Sequence, residues 1–232
     1  TRGTSPLGFI DACNLPGAQH LLTALADGTT TVTLPFPFRT FGTQRTTMGV
    51  SVNGALGFPS VTTAWTNTSL PNSSLPDSIF PFWDDLQTRP VGVCTATVGT
   101  APDRLFVTQW SNTDLQDRGV GGDLGASLNF EVVLGEASQA IHVLYNDMVG
   151  DARATGSSAT VGLQRNGSNS RYDLVSYNTS GGVVARSSIL WTPPATSACT
   201  GTGVCSPCST AEICDGIDNN CNGLVDDGIA NL

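Results

Sequence analysis

Oxygen-bearing side chains recur at every second position near the C-terminus of the chain and could bind a metal ion. Asp218, Asn220 and Asn222 are followed at once by Gly223. This is the 1, 3, 5, 6 spacing of a calcium loop, in which alternate side chains point inward and the glycine allows a sharp turn. Position 12 of the loop holds Ile229 instead of glutamate, so a standard EF-hand is not indicated. The candidate calcium ligands are Glu212, Asp215, Asp218, Asn220, Asn222, the backbone carbonyl of Leu224, Asp226 and Asp227.

The donor types in this tail favour calcium over copper or zinc, because they are hard oxygens and the tail has no histidine. A zinc site remains an alternative, since Cys205 and Cys208 form a Cys-x-x-Cys pair. The next pair, Cys214 and Cys221, has six residues between its members, where zinc sites have two to four. In an oxidising compartment disulfides are the favoured use of these cysteines, with Cys214–Cys221 as the first local candidate and Cys199–Cys205 as the next. A solvated, crosslinked cap without metal is a further possibility.

The chain has 7 cysteines, which indicates disulfides and an oxidising compartment. Outside the tail, a bridge between Cys13 and Cys94 would join the N-terminal segment to a later hairpin and close a long loop. The alternative is that Cys13 pairs between chains. An odd count leaves one cysteine unpaired or linked to another chain. The candidate disulfide cysteines are Cys13, Cys94, Cys199, Cys205, Cys214 and Cys221.

The run from Glu212 to Asp227 resembles the metal-binding repeat of MopE-type bacterial surface proteins. That repeat has the pattern Glu-x-Cys-Asp-Gly-x-Asp-Asn-Asp-Cys-Asp-Gly followed by Asp-Glu. This chain has Asn220 and Asn222 where aspartate is usual and Asp227 where glutamate is usual, which lowers the charge of the ligand set. The resemblance implies a secreted or cell-surface bacterial protein, and nothing in these residues indicates copper.

Elsewhere the chain offers few groups for catalysis. Of its two histidines, His20 and His142, the second lies in a strand-like run that favours a structural or solvent-facing role. Neighbours on a strand face opposite ways, so we interpret Asp84 and Asp85 as one backbone cap and one solvated residue. A second cation site or an acid–base pair is the alternative for these two residues. No nucleophile elbow, zinc-protease motif or phosphate loop is present, and we expect a protein that is not an enzyme.

Charge and hydropathy argue against two further kinds of function. The chain has 232 residues, a formal net charge of −9 and 10 basic residues, all of them arginine. Binding of nucleic acid needs clustered positive charge, and insertion into a membrane needs about 18 consecutive apolar residues, which the sequence lacks. We expect neither nucleic-acid binding nor membrane insertion.

The elements that must position these groups are strands. Segments of strand character, bounded by turn residues, recur from Thr29 to about Trp191. In residues 127–134, apolar and polar side chains alternate as in a strand with one buried face. One short stretch, residues 19–26, could be helical. The pattern predicts an all-β fold, a mostly antiparallel, jelly-roll-like β-sandwich with a small disulfide-rich, calcium-loop tail.

Composition predicts four parts along the chain. It changes after Thr192, where Pro193 and Pro194 stop the last strand and the following residues become acidic and rich in cysteine. The expected parts are an N-terminal segment over residues 1–28, the β-sandwich over 29–192, a linker over 193–204 and the metal-binding tail over 205–232.

Several motifs of the main domain resemble nidogen-like modules. They are an aromatic and proline-rich entry, a strand ending in Asn-Gly, an Ile-Phe-Pro-Phe-Trp-Asp-Asp-Leu segment and two later strands, at residues 34–38, 50–54, 79–86, 106–110 and 161–164. The resemblance covers roughly residues 29–192. It implies a bacterial extracellular β-sandwich that serves as an accessory or adhesive domain, with no reaction common to the family.

Together these patterns predict a secreted or surface-displayed bacterial structural or adhesive protein with calcium in its C-terminal tail. A filament or sheath subunit of this kind would self-associate or contact other surface proteins or glycans. The alternative is a glycan- or protein-binding accessory module of a larger secreted protein. Exposed tryptophans such as Trp65 would suit glycan binding, although core packing is the commoner role of a tryptophan.

Overall fold

A computed structural model of the protein describes residues 2–116, 125–165, 171–193, 197–199 and 205–207. The chain forms two compact units, one over Arg2–Trp191 and one over Thr192–Leu232 together with Thr1. The described strands of the first unit are β1 (Arg2–Gly3), β2 (Gln19–Leu21), β3 (Thr29–Thr40), β4 (Thr43–Ser51), β5 (Ala55–Phe58), β6 (Asp77–Trp83), β7 (Leu86–Gln87), β8 (Val93–Val98), β9 (Leu105–Leu115), β10 (Ser127–Gly135), β11 (Ile141–Val149), β12 (Thr160–Arg165), β13 (Arg171–Tyr177) and β14 (Ser188–Trp191). Two short 3-10 helices lie at Ala12–Asn14 and Ala152–Thr155.

Two antiparallel sheets make up the first unit. The larger sheet has eight strands in the order β1-β14-β11-β10-β9-β8-β2, with β7 pairing with the end of β9. The smaller sheet has six strands in the order β13-β12-β6-β5-β4-β3. Because β1 and β2 are the edge strands of the larger sheet, the N-terminal residues take part in the sandwich.

Alternation along the strands places one face of each sheet in a shared core. In β10, Leu128, Phe130 and Val132 are fully buried in this core, as the sequence pattern predicts. Phe130 stacks on Trp110 of β9 with ring centroids 5.0 Å apart, and such aromatic pairs add to the stability from buried area. The prediction of an all-β, mostly antiparallel sandwich is confirmed.

Two buried aromatic side chains of the larger sheet form hydrogen bonds to the smaller sheet. The Trp110 indole Nε1–H donates to the Ser51 carbonyl oxygen at 3.0 Å, and the Tyr145 hydroxyl donates to the Pro81 carbonyl oxygen at 2.7 Å. A buried polar group without a partner is costly. These two bonds therefore fix how the sheets lie against each other.

The stretch over residues 19–26 is not a helix, and that prediction was wrong. Its first part, Gln19–Leu21, forms strand β2, which pairs antiparallel with β8. Leu22 and Ala24 follow with positive φ angles of 48° and 53°, which a right-handed helix does not contain. A stretch this short has little helical stability of its own, so pairing at the sheet edge and packing of Leu22 against the core decide its conformation.

The second unit is described only in part. Strands β15 (Ser197–Cys199) and β16 (Cys205–Pro207) form a two-stranded antiparallel sheet. Within it, Cys199 lies directly opposite Cys205.

Residues 59–76, between β5 and β6, cross the outer face of the smaller sheet at two glycines. Gly49 and Gly57 lie opposite each other in β4 and β5. A Cβ atom at Gly57 would meet the backbone carbonyl of Ser60, and one at Gly49 would meet the backbone of the same crossing segment. The absence of side chains at both positions lets the segment lie directly on the sheet.

Replacing Gly57 by alanine is expected to lower the free energy of unfolding by about 1–3 kcal/mol, because the added methyl group would push the crossing segment off the sheet. Urea denaturation followed by tryptophan fluorescence measures the change. Gly8→Ala is the matched control, since a Cβ atom there has no neighbour within 4 Å. An unchanged midpoint in Gly57→Ala, or an equal loss in both variants, would contradict the close approach.

Candidate functional site

Residues 5–15, which we call the strap, lie across the outer face of the larger sheet. The strap crosses five neighbouring strands, and one side chain of each strand binds it. Ser188 of β14 accepts a hydrogen bond from the Ser5 backbone N–H, His142 of β11 bonds the Ser5 hydroxyl, Glu131 of β10 accepts from the Ile10 N–H, Gln109 of β9 accepts from the Cys13 N–H, and Cys94 of β8 forms a disulfide with Cys13. These side chains supply the partners that strap backbone groups would otherwise lack.

An apolar patch lies beneath the strap. Its buried sheet residues are Cys94, Ala96, Val107, Val133 and Leu144, and the strap residues packed against them include Leu7, Phe9, Ile10 and Leu15. Uncovered, this face would be an exposed apolar surface of the kind that promotes association. The strap is therefore an integral layer of the domain.

Glu131 is the buried titratable group of this contact. Its side chain is fully buried, and its Oε1 accepts the hydrogen bond from the Ile10 N–H at 2.9 Å. Its Oε2 has no hydrogen-bond partner among the described residues. Burial, together with the nearby charge of Asp11, raises the pKa of Glu131 from 4.5 to about 8. At neutral pH this side chain therefore holds the strap as an uncharged carboxylic acid.

Gln109, in the strand next to Glu131, uses both ends of its amide. Its Oε1 accepts from the Cys13 N–H at 3.1 Å. Its Nε2 donates to Asn129 Oδ1 at 3.0 Å and to Asp11 Oδ1 at 3.4 Å. The fully buried amide thus connects the strap to two neighbouring strands.

The disulfide between Cys13 and Cys94 anchors the far end of the strap to β8. The structure contains it as an intrachain bond, the pairing that the sequence analysis considered alongside a bond between chains. The two Cα atoms are 5.2 Å apart, and 81 positions separate the two cysteines in the chain. The covalent loop therefore includes strands β2 to β7.

Apart from the Cys13–Cys94 bridge, the contacts between the strap and the sheet were not expected from the sequence. Alternation in β10 assigns Asn129, Glu131 and Val133 to the face away from the core, where a charged residue normally contacts solvent. One signal was present, because Val133 and the neighbouring Val107 make that outer face apolar. Apolar side chains on both faces of adjacent strands indicate that a further layer covers the sheet.

Asp84 and Asp85 are both buried. Asp84 Oδ1 accepts a hydrogen bond from the Asp85 N–H at 2.8 Å, and its Oδ2 accepts from the Ser158 hydroxyl at 2.6 Å. Burial raises the pKa of Asp84 from 3.8 to about 6. Asp84 thus caps the backbone as expected, but the expectation of a solvated Asp85 was wrong. The Asp85 carbonyl accepts from the Gln116 N–H, which draws the turn into the sheet beside β7.

The two histidines lie in different parts of the larger sheet. His142 in β11 is buried, bonds the Ser5 hydroxyl at 2.8 Å, and has its pKa lowered by burial. His20 in β2 is exposed, and its Nδ1 lies 3.0 Å from the Val91 carbonyl oxygen. Three strands of the sheet separate β2 from β11, so the histidines do not form one site.

The predicted calcium ligands, from Glu212 to Asp227, lie outside the described residues, as do Cys208, Cys214 and Cys221. Within the described ranges, no group of three or more histidine, cysteine, aspartate or glutamate residues could hold a metal ion. The metal site therefore stays a prediction from the sequence.

Two antiparallel sheets and a strap anchored by a disulfide define an extracellular β-sandwich module, because such bonds persist in oxidising surroundings. The family model described as NIDO related matches residues 12–200, and the chain belongs to this family. NIDO-related domains are extracellular. No curated protein and no solved structure matches the chain. In the part of the chain that the structure describes, no helix has the length and apolar character to cross a membrane.

Proposed function

We propose that this protein is a secreted or surface-displayed bacterial structural or adhesive module, a subunit of an extracellular filament or sheath that binds calcium through its C-terminal tail. Membership of the NIDO-related family supports the extracellular part of the proposal. The spacing of Asp218, Asn220 and Asn222 supports the calcium part. The resemblance of this tail to repeats of bacterial surface proteins supports display at the cell surface.

The observation that carries the structural role is the covering of both outer faces of the sandwich. The strap covers part of the larger sheet and is fixed by a disulfide. Residues 59–76 cover part of the smaller sheet, where Trp83 donates to the Ala64 carbonyl oxygen at 2.8 Å. Covered faces and a covalent lock suit a domain that must persist outside the cell.

The buried titratable groups support a role without catalysis, because each is used to hold the fold. Glu131 binds the strap backbone, Asp84 binds Ser158 and its own turn, and His142 binds Ser5. Glu131 and His142 lie on the neighbouring strands β10 and β11 beneath the strap, and Asp84 lies in the turn between β6 and β7.

A glycan- or protein-binding accessory module is the second candidate. It is favoured by Trp65, whose side chain is 42% exposed in the segment that crosses the smaller sheet. Tryptophan combines a large apolar face with a polar N–H, which suits it to interfaces. If Trp65→Ala lost adhesion to glycans or partner proteins but kept its self-association, this candidate would be favoured.

Titration calorimetry of the full chain with calcium chloride tests the metal site. We expect a dissociation constant of about 10⁻⁴–10⁻³ M, as in extracellular modules, and binding at least about tenfold weaker in the double variant Asp218→Ala, Asp226→Ala, because two anionic ligands are lost. Asp103→Ala, at an exposed acidic residue of the sandwich, is the matched control. Equal heats from the wild type and the double variant, or tighter binding of zinc than of calcium, would contradict the calcium assignment.

A further inference from the structure

A cleft opens along one side of the sandwich, where edge strand β2 of the larger sheet faces edge strand β3 of the smaller one. Its volume is about 370 Å³, within the range of sites for small molecules. The opposite side is closed, since the Trp191 indole donates to Asp173 at 2.7 Å and Arg2 forms an ion pair with the same carboxylate at 2.7 Å. The two sides of the sandwich therefore differ in how closely the sheet edges approach each other.

The walls of the cleft combine uncharged polar groups with apolar surface. Gln19, Thr95 and Thr97 lie on the larger sheet, and Thr33 lies across from them on β3. Phe106 contributes an aromatic surface, and the described lining contains no acidic residue, arginine or histidine. This composition suits a ligand that is itself uncharged and has both polar and apolar faces.

Thr95 is the residue that points most directly to a ligand. Its side chain lines the cleft and is only 5% exposed. Thr33 and Thr97 are exposed, so hydroxyl groups on both walls of the cleft are open to a guest.

We propose that this cleft binds an uncharged, polyhydroxylated ligand, namely a neutral monosaccharide or disaccharide unit of a glycan. Threonine hydroxyls and the glutamine amide both donate and accept hydrogen bonds, as sugar hydroxyls do. Phe106 and Val32 offer apolar surface to the C–H face of a sugar ring. Acidic sugars would find no cation in the cleft and would be repelled by the net charge of −9. The inference does not depend on calcium binding or self-association.

Saturation-transfer difference NMR on the full chain in excess chelator tests this proposal. The probes are glucose, galactose, mannose and N-acetylglucosamine, with glucuronate as the acidic counterpart. At least one neutral sugar is expected to show saturation transfer and glucuronate none. Thr95→Val keeps the shape of the side chain and removes its hydroxyl, and the expected loss of affinity is about tenfold.

Two further variants keep the test valid if Thr95→Val folds poorly. Thr33→Val changes an exposed residue on the other wall and is expected to weaken binding in the same direction. Thr31→Val, two residues away on the same strand and outside the cleft lining, should bind as the wild type does. The proposal is overturned if none of the neutral sugars binds, if glucuronate binds as well as they do, or if Thr33→Val and a folded Thr95→Val both keep wild-type affinity.

Discussion

Replacement of both Cys13 and Cys94 by alanine is expected to lower the free energy of unfolding by about 3–4 kcal/mol. The bond closes a loop whose ends are 81 positions apart, and a crosslink over such a distance removes much of the entropy of the unfolded chain. Its loss also frees the end of the strap, whose side chains cover the apolar patch of the larger sheet. Guanidinium denaturation in oxidising buffer measures the effect.

A double-mutant cycle separates the bond from simple packing. Cys13→Ala, Cys94→Ala and the double variant all lack the disulfide, so the three should lose nearly the same stability. Added reductant should lower the wild type to the same level and leave the variants unchanged. Additive losses in the two single variants, or a wild type that is insensitive to reductant, would show that the strap is not held by this bond.

The second large effect is the dependence of the free energy of unfolding on pH that arises from Glu131. With a pKa of about 8 in the folded protein, against an ordinary value of 4.5, its contribution to stability is fully present below pH 4.5. As the pH rises from 4.5 to 8, the unfolded chain loses a proton that the folded chain retains, so unfolding becomes progressively easier. Asp84, whose pKa is raised from 3.8 to about 6, contributes with the same sign at lower pH.

Glu131→Gln should therefore match the wild type at pH 4 and be more stable at pH 8, by about 2–4 kcal/mol. The glutamine oxygen can still accept the Ile10 N–H, but no charge forms beneath the strap. Urea denaturation of both proteins at a series of pH values measures the difference in their free energies of unfolding. Burial lowers the pKa of His142, which makes stability rise with pH, but both proteins contain His142 and its effect is removed when one curve is subtracted from the other.

Glu136→Gln is the control for this measurement. Arg104 donates to both carboxylate oxygens of Glu136, at 2.7 and 2.6 Å, and lowers its pKa. Replacing Glu136 by glutamine should slightly lower the free energy of unfolding at neutral pH. This change is opposite in sign to the one expected for Glu131→Gln at pH 8. A Glu131→Gln variant with the same pH dependence as the wild type would contradict a buried, protonated Glu131.

Local patterns were enough to predict several strands, such as β10, but not β2, which lies in the stretch expected to be helical. Alternation in residues 127–134 identified the buried face of β10, because strand periodicity is a property of neighbouring residues. The Asn-Gly pair at residues 53 and 54 is of a kind that favours a tight turn, and Gly54 has a φ of 67°, which favours glycine. The sequence did not show that Asn53 is buried and binds Asp27 and the Leu86 N–H, because these partners are distant in the chain.

The strap could not be predicted for the same physical reason. Ile10 and Glu131 are 121 positions apart, and no local period relates them. Their contact arises because β10 occupies a central place in the sheet and the N-terminal segment crosses it, which is a matter of topology. The same holds for the cleft, whose walls come from β2, β3 and β8. The calcium-ligand pattern of the tail differs, because it consists of residues that are neighbours in the sequence and can therefore be recognised from the sequence alone.

We propose that this NIDO-related chain acts as a calcium-dependent structural subunit of the extracellular surface. Negative-stain imaging of the purified full chain in millimolar calcium, and again after chelation, tests it most directly. We expect filaments or sheets that fall apart when calcium is removed and that do not form in the Asp218→Ala, Asp226→Ala variant. Single particles of monomer size under both conditions would contradict it and would leave the binding module as the better description.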